Sequence, residues 1–120
     1  MNYEWTDDYM LTMPGVEKDF KAEWEAERYR VRDKMFAMRG AHKDGRPLLS
    51  LKLDPEFSEL LRAQYPDEVV PGYYLNKMHW SSLYLDGVGL LPRETVEHMC
   101  ENAYKLILSA LPAKVRAEIR

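Results

Sequence analysis

Between Val96 and Leu111 the residues Val96, Met99, Cys100, Ala103, Tyr104, Ile107, Leu108 and Leu111 recur in alternating steps of three and one. That spacing lays them along one side of a helix, the clearest amphipathic segment of the chain. A helix with one apolar side must bury it against another element. Period-two patterns upstream point to strands. Tyr29 and Val31 alternate with Arg28, Arg30 and Arg32, and Leu49, Leu51 and Leu53 alternate with Ser50 and Lys52. A helix stripe combined with such strands predicts a mixed domain of helices and sheet. At 120 residues the chain is read as a single domain, 1–120, with one core.

Turn chemistry fixes most of the connections. Pro14–Gly15 ends an N-terminal helix placed over about Tyr3 to Thr12, with Thr6 as a candidate N-cap and Trp5 and Met10 as a hydrophobic staple. Asn2 is the competing cap. From Val16 to Glu27 two patterns overlap. Phe20, Ala22, Trp24 and Ala26 alternate as in a strand, while Val16, Phe20 and Trp24 also fall at helical spacing; extended structure is the reading taken. Arg32–Asp33–Lys34 turns the chain into a strand from Met35 to Gly40, and the polar loop His42–Arg46 leads to the strand of Leu49, Leu51 and Leu53. Three strands joined by short connections predict an antiparallel meander. Asp54–Pro55–Glu56 then opens a helix with an acidic cap and proline in the first turn, Phe57, Leu60 and Leu61 sharing one face. A further strand runs from His79 to Leu85 and stops at Asp86–Gly87. Pro112 starts a last short helix.

Charge is distributed unevenly. The net charge is -3, yet Met1 to Glu27 carries eight acids against two lysines, and Arg28 to Lys52 eight bases against two acids. Two arrangements account for this. Either neighbouring strands neutralise one another across the sheet, or the bases form a surface for a polyanion. No apolar run approaches the roughly 18 residues of a membrane span, the N-terminal stretch has no secretory h-region, and a lone cysteine fits a reducing compartment. A cytoplasmic monomer without membrane contact is the expectation.

Little in the chain reads as catalytic. Cys100 lies on the apolar stripe, and His98, two positions away, points elsewhere on the helix, so the thiol is read as buried and inert. His42, His79 and His98 belong to separate elements and have no partner at ligand spacing, so no metal or cofactor is expected. Glycine-rich phosphate loops and the G-x-S-x-G nucleophile pattern are absent. Asn76, Lys77, His79 and Trp80 at the entrance to a strand have two readings. Trp80 packs and His79 fixes the loop, or Lys77 meets a phosphate while His79 or Trp80 stacks on a base.

The passages MPGVEKDF (Met13 to Phe20), RVRDKMFAM (Arg30 to Met38), LLSLKLDPEFSELLR (Leu48 to Arg62) and PGYYLNKMHWSSLYLDG (Pro71 to Gly87) occur in that order, followed by Ala103–Tyr104 and Leu111–Pro112. In these passages the chain resembles the MmcQ/YjbR family over nearly its whole length. The resemblance implies an α+β, frataxin-like fold: an antiparallel sheet with helices packed on one face. It also implies a non-enzymatic DNA-binding protein of the "double wing" kind. Many relatives carry a glycine-rich turn where this chain has Arg32–Asp33. On that basis the expected DNA-binding residues are Arg28, Arg30, Arg32 and Lys34 on one wing, extended by Lys52, Lys77, His79 and Trp80. The alternative is a small-molecule or protein-binding module, its groove walled by Tyr73, Tyr74, His79 and Trp80.

Overall fold

The computed structural model describes residues 3–72, 76 and 78–119. Six strands form one sheet: β1 (Val16–Lys21), β2 (Ala26–Val31), β3 (Lys34–Ala41), β4 (Pro47–Lys52), β5 (Val69–Pro71) and β6 (Trp80–Tyr84). Their spatial order is β1-β2-β3-β4-β6-β5, and every neighbouring pair is antiparallel. The helices are α1 (Thr6–Leu11), α2 (Pro55–Gln64), α3 (Arg93–Ala110) and α4 (Ala113–Glu118).

The sheet has two unlike faces. In register, Tyr29, Ala37, Leu51 and Ser81 lie on one side. This side carries the core, in which Tyr29, Leu49, Leu51 and Leu83 pack with Met10 of α1, Leu61 of α2, and Val96, Met99 and Cys100 of α3. The other side carries Asp19, Arg28, Met38, Ser50 and Ser82 in one row across five strands, and none of these residues joins the helix-side core. The fold is thus α+β, with helices on one face.

Most expected elements are present, with instructive shifts. The predicted stripe of α3 is buried at Val96, Met99, Cys100, Ala103 and Ile107. Asp54 caps α2, its carboxylate accepting the Glu56 N–H at 3.2 Å. Inside α2, however, Leu60 is 52 % exposed, and the small Ser58 faces inward beside Leu61 because its hydroxyl lies 2.9 Å from that of Ser81. Thr6 does not cap α1. Trp5 holds the cap position, and the Thr6 hydroxyl donates back to the Tyr3 carbonyl at 2.7 Å. The alternation read through Trp24 fails at Ala22. There Ala22–Trp24 forms a 3-10 turn, closed by Glu25 at φ 51, which reverses the chain into β2. Trp24 is 50 % exposed as a result, and Phe20, in β1, is 63 % exposed. Strand β5 has no counterpart in the periodicity, its three residues being too few to show one.

Two backbone positions shape the candidate site. Arg32 turns the chain from β2 to β3 at φ 58, the left-handed region that glycine occupies most easily. Just before it, a bulge between Tyr29 and Arg30 shifts the β2–β3 register, so that Arg30 faces Met35 and Phe36 is the extra residue. Phe36 is buried in the core, its ring edge-on to Tyr104 at 5.9 Å.

Candidate binding face of the sheet

The 3-10 turn at Ala22–Trp24 sets the pairing of β1 with β2, so Asp19 lies opposite Arg28 and Glu17 opposite Arg30. Complementary charges therefore meet across one ladder. Arg28 grips Asp19 with both arms of its fork: Nε donates to Oδ1 at 2.8 Å and Nη2 to Oδ2 at 2.7 Å. Arg30 Nη2 reaches the same Oδ2 at 3.1 Å. The Arg28 hydrogen bonds hold the Asp19 carboxyl below the usual carboxylate range, with the fields of both guanidiniums adding to them. Asp19 in turn raises the pKa of Arg28.

Arg30 is less well provided for. Its Nη1 donates to the Arg32 carbonyl at 3.0 Å, but its Nε is buried and has no hydrogen-bond partner among the described residues. Two guanidiniums here share one carboxylate. The edge of the group is aromatic, with the Arg28 guanidinium 5.9 Å and the Lys21 ammonium 5.4 Å from the centre of the Trp24 ring.

The other expected contacts disperse. Arg32 pairs with Glu118 of α4 at 3.3 Å. Lys34 and Lys52 form no ion pair among the described residues, but neither joins the arginines. Lys34 opposes Val31 in the ladder, and Lys52 is on β4, with β3 and its methionines Met35 and Met38 between it and Arg28 and Arg30. Arg28, Arg30 and Arg32 thus each lie against an acid, the first of the two charge arrangements, while Lys34 does not. Trp80 is buried opposite Lys52, and Gly72 fits against it so closely that a Cβ there would lie 2.6 Å from the Trp80 Cβ. His79 is half-buried and acts through its backbone, accepting from Leu53 N–H at 2.7 Å and donating to the Asn76 carbonyl at 3.2 Å. Tyr73, Tyr74 and Lys77 lie outside the described residues.

Asp19 is the group that sequence reasoning left out of the site. Its signal was present: a hairpin centred on 22–25 places positions 19 and 28 opposite one another. Elsewhere, Cys100 is fully buried, and burial pushes its thiol up to about 12, with Glu101 and Glu97 reinforcing it. Among the described residues no group of three or more His, Cys, Asp or Glu side chains is placed to hold a metal ion. Among the same residues no helix is long and apolar enough to cross a membrane.

A six-stranded antiparallel sheet with helices on one face and a shared-carboxylate arginine pair on the other defines an α+β protein. The family model described as YjbR matches residues 11–106. The chain is 39 % identical over 108 residues to the "Uncharacterized protein YjbR" of Escherichia coli (strain K12), covering 90 % of this chain and 88 % of that protein. It is 36 % identical over 74 residues to the "Uncharacterized protein YbdF" of Escherichia coli O157:H7, covering 62 % of this chain and 59 % of that one. A crystal structure of a Deinococcus radiodurans protein with the family-model domain DUF419 superposes with a TM-score of 0.81 at 30 % identity, over 94 % of this chain and 83 % of that chain. A Pseudomonas syringae protein crystal structure superposes at 0.67 with 24 % identity, over 89 % and 99 %. The chain belongs to the YjbR family.

Proposed function

We propose that this chain is a non-enzymatic binding protein that holds a small ligand by its anionic group at the Arg28–Arg30 pair. The observation behind this reading is the sharing of Asp19 by two guanidiniums. Both guanidiniums lean on one carboxylate, with Glu17 opposite Arg30 in the ladder, and the Arg30 Nε–H has no acceptor among the described residues. A pair of guanidiniums gathered on one small acceptor suits one anionic group. It does not suit a duplex, whose specific binders make on the order of six to ten phosphate contacts. The net charge of -3 weighs the same way. The buried thiol of Cys100 and the lack of any other cysteine support a cytoplasmic, reducing setting.

A nucleic-acid reading through Arg28, Arg30, Arg32, Lys34, Lys52 and Lys77 has one observation in its favour: Lys34 and Lys52 carry no ion pair among the described residues. The two readings separate on salt dependence. Titration of inorganic phosphate by calorimetry and of a labelled 16-base-pair duplex by anisotropy, each across a salt series, is compared with the same titrations of R28Q/R30Q. The small-anion reading expects phosphate binding that the double variant loses, with a log–log salt slope no steeper than about -1. Duplex binding with a slope of about -5 or steeper, abolished in the same variant, would replace it with the nucleic-acid reading.

A further inference from the structure

Asp19 gives the site a second property, one that rests on the reading of Arg28 and Arg30 as anion holders. Three N–H donors from two guanidiniums converge on the Asp19 carboxylate at 2.8, 2.7 and 3.1 Å. Forked, charge-assisted contacts of this kind are how arginines hold carboxylate and phosphate alike. The carboxylate is tethered to β1, the edge strand of the sheet, so it reaches the site from one side only. From there it satisfies both donors of Arg28 but a single arm of Arg30. The Nε of Arg30 stays buried without an acceptor among the described residues, and its Nη1 turns back to the Arg32 carbonyl.

We propose that Asp19 is a built-in stand-in for the ligand's anionic group, displaced when that ligand binds, and that the ligand carries a phosphoryl group. A carboxylate offers two oxygens and one negative charge. A phosphoryl group offers three oxygens and up to two negative charges, enough to replace both Asp19 contacts on Arg28 and the one on Arg30 Nη2 with an oxygen for each. Solvent reaches all three side chains, with Asp19 33 %, Arg28 24 % and Arg30 25 % exposed, so exchange needs no opening of the core. The charged groups facing the site from neighbouring positions are Glu17, opposite Arg30, and the Lys21–Glu23 pair beyond Arg28. An internal competitor scales apparent affinity by the fraction of time it leaves the site free. Asp19 therefore raises the ligand concentration at which the site is half-filled.

The test monitors the arginine Nε–Hε resonances by NMR while inorganic phosphate, and separately acetate, is titrated into wild type, D19N, D19A, E17Q and R28Q/R30Q. Backbone amide dispersion reports that each variant is folded. Three results are expected. D19N and D19A bind phosphate about two- to fivefold more tightly than wild type, the range a partly exposed ion pair accounts for. E17Q, which removes the same charge from the adjacent rung without touching either guanidinium, stays near wild type. Phosphate also shifts the Arg30 Nε–Hε signal at lower concentration than acetate does. If D19N and D19A gain no more than E17Q while phosphate still shifts the arginine signals of wild type, Asp19 is no competitor, and only the binding reading stands. Acetate binding as tightly as phosphate overturns the phosphoryl assignment. If no variant, wild type included, shows an anion-dependent shift at Arg28 or Arg30, the binding reading itself falls, and this inference with it.

Discussion

The phenol of Tyr3 donates a 3.0 Å hydrogen bond to Glu68 Oε2, joining groups 65 residues apart in a buried site. The same carboxylate accepts the Gly89 N–H on Oε1 and the Leu90 N–H on Oε2, both at 2.9 Å, while Leu91 N–H donates to the Tyr3 oxygen at 3.2 Å. Glu68 is 2 % exposed, yet both of its oxygens are occupied. It fastens the N-terminal segment and the loop before α3 to the start of β5. Burial, opposed by the Leu91 N–H and reinforced by Glu68, pushes the Tyr3 phenol up to about 12, so it remains a donor at any physiological pH.

Glu68→Gln puts an amide donor where one of these N–H or O–H groups needs an acceptor. The expected loss is about 2 to 3 kcal/mol in urea unfolding, since a buried donor left unsatisfied bears its full desolvation penalty. Tyr3→Phe should cost less, about 1 to 2 kcal/mol, because it removes one bond and orphans only the Leu91 N–H. Equal, negligible effects of both changes would mean that the loop is held by something else. Gly87→Ala should resemble Glu68→Gln, as a methyl group there would run into the carboxylate.

Asp7 makes stability sensitive to acid. Burial pushes its carboxyl upward, but hydrogen bonds from Lys18 at 2.8 Å and Tyr29 at 2.6 Å outweigh it and hold the pKa below its ordinary value. A carboxyl depressed in the folded state contributes fully above its unfolded pKa, about 4, and loses that contribution as pH falls through the folded value. Urea unfolding at pH 7, 4 and 3 should show wild type losing stability on acidification. Asp7→Asn should start lower at pH 7 and fall less steeply. Parallel decline of the two proteins would show that Asp7 is not responsible.

The thiol of Cys100 should be silent in the native protein. Fully buried on α3, with its pKa pushed up to about 12, it presents neither thiolate nor an approach path. A disulfide reagent such as DTNB should label nothing in buffer and one thiol per chain in denaturant, with labelling tracking the unfolding curve. Rapid labelling in buffer would show that the α3–sheet interface opens.

On the face away from the helices, the hydroxyls of Ser50 and Ser82 lie 2.7 Å apart, both buried. Ser50→Ala or Ser82→Ala alone leaves the other hydroxyl unsatisfied and should cost about 1 to 2 kcal/mol. The double replacement should cost less than the sum, with a coupling of about 1 kcal/mol. Strict additivity would show that the two hydroxyls find other partners.

Where each face of a strand or helix meets a uniform environment, the sequence was readable. Tyr29, Val31, Leu49 and Leu51 alternate and are buried, and the α3 stripe is buried where spacing placed it. Periodicity misled wherever a local exception took over. The 3-10 turn at Ala22 removed Trp24 from the ladder, and the Ser58–Ser81 hydroxyl contact turned Ser58 inward in α2 while Leu60 faced solvent. The arginines of β2 were visible in the sequence, but their neutralisation was not, because it depends on which acid stands opposite. That pairing is set by the turn at 22–25, whose left-handed residue is Glu25 and not the glycine that would have announced it. Glu68 gave no signal at all: the second of two adjacent acids before Val69, it gains its three donors only when Tyr3 and the 89–90 loop arrive.

Strand β6 lies between β4 and β5 although it is made last of the six. During synthesis on the ribosome, β1 to β4 can pair in sequence while β4 still lacks its outer neighbour. Leu48, Leu49 and Leu51 then stand at a bare margin until residues 80–84 emerge. A nascent chain stalled before Trp80 would expose an adhesive border to other polypeptides, and a fragment ending there should need chaperone protection that the finished chain does not.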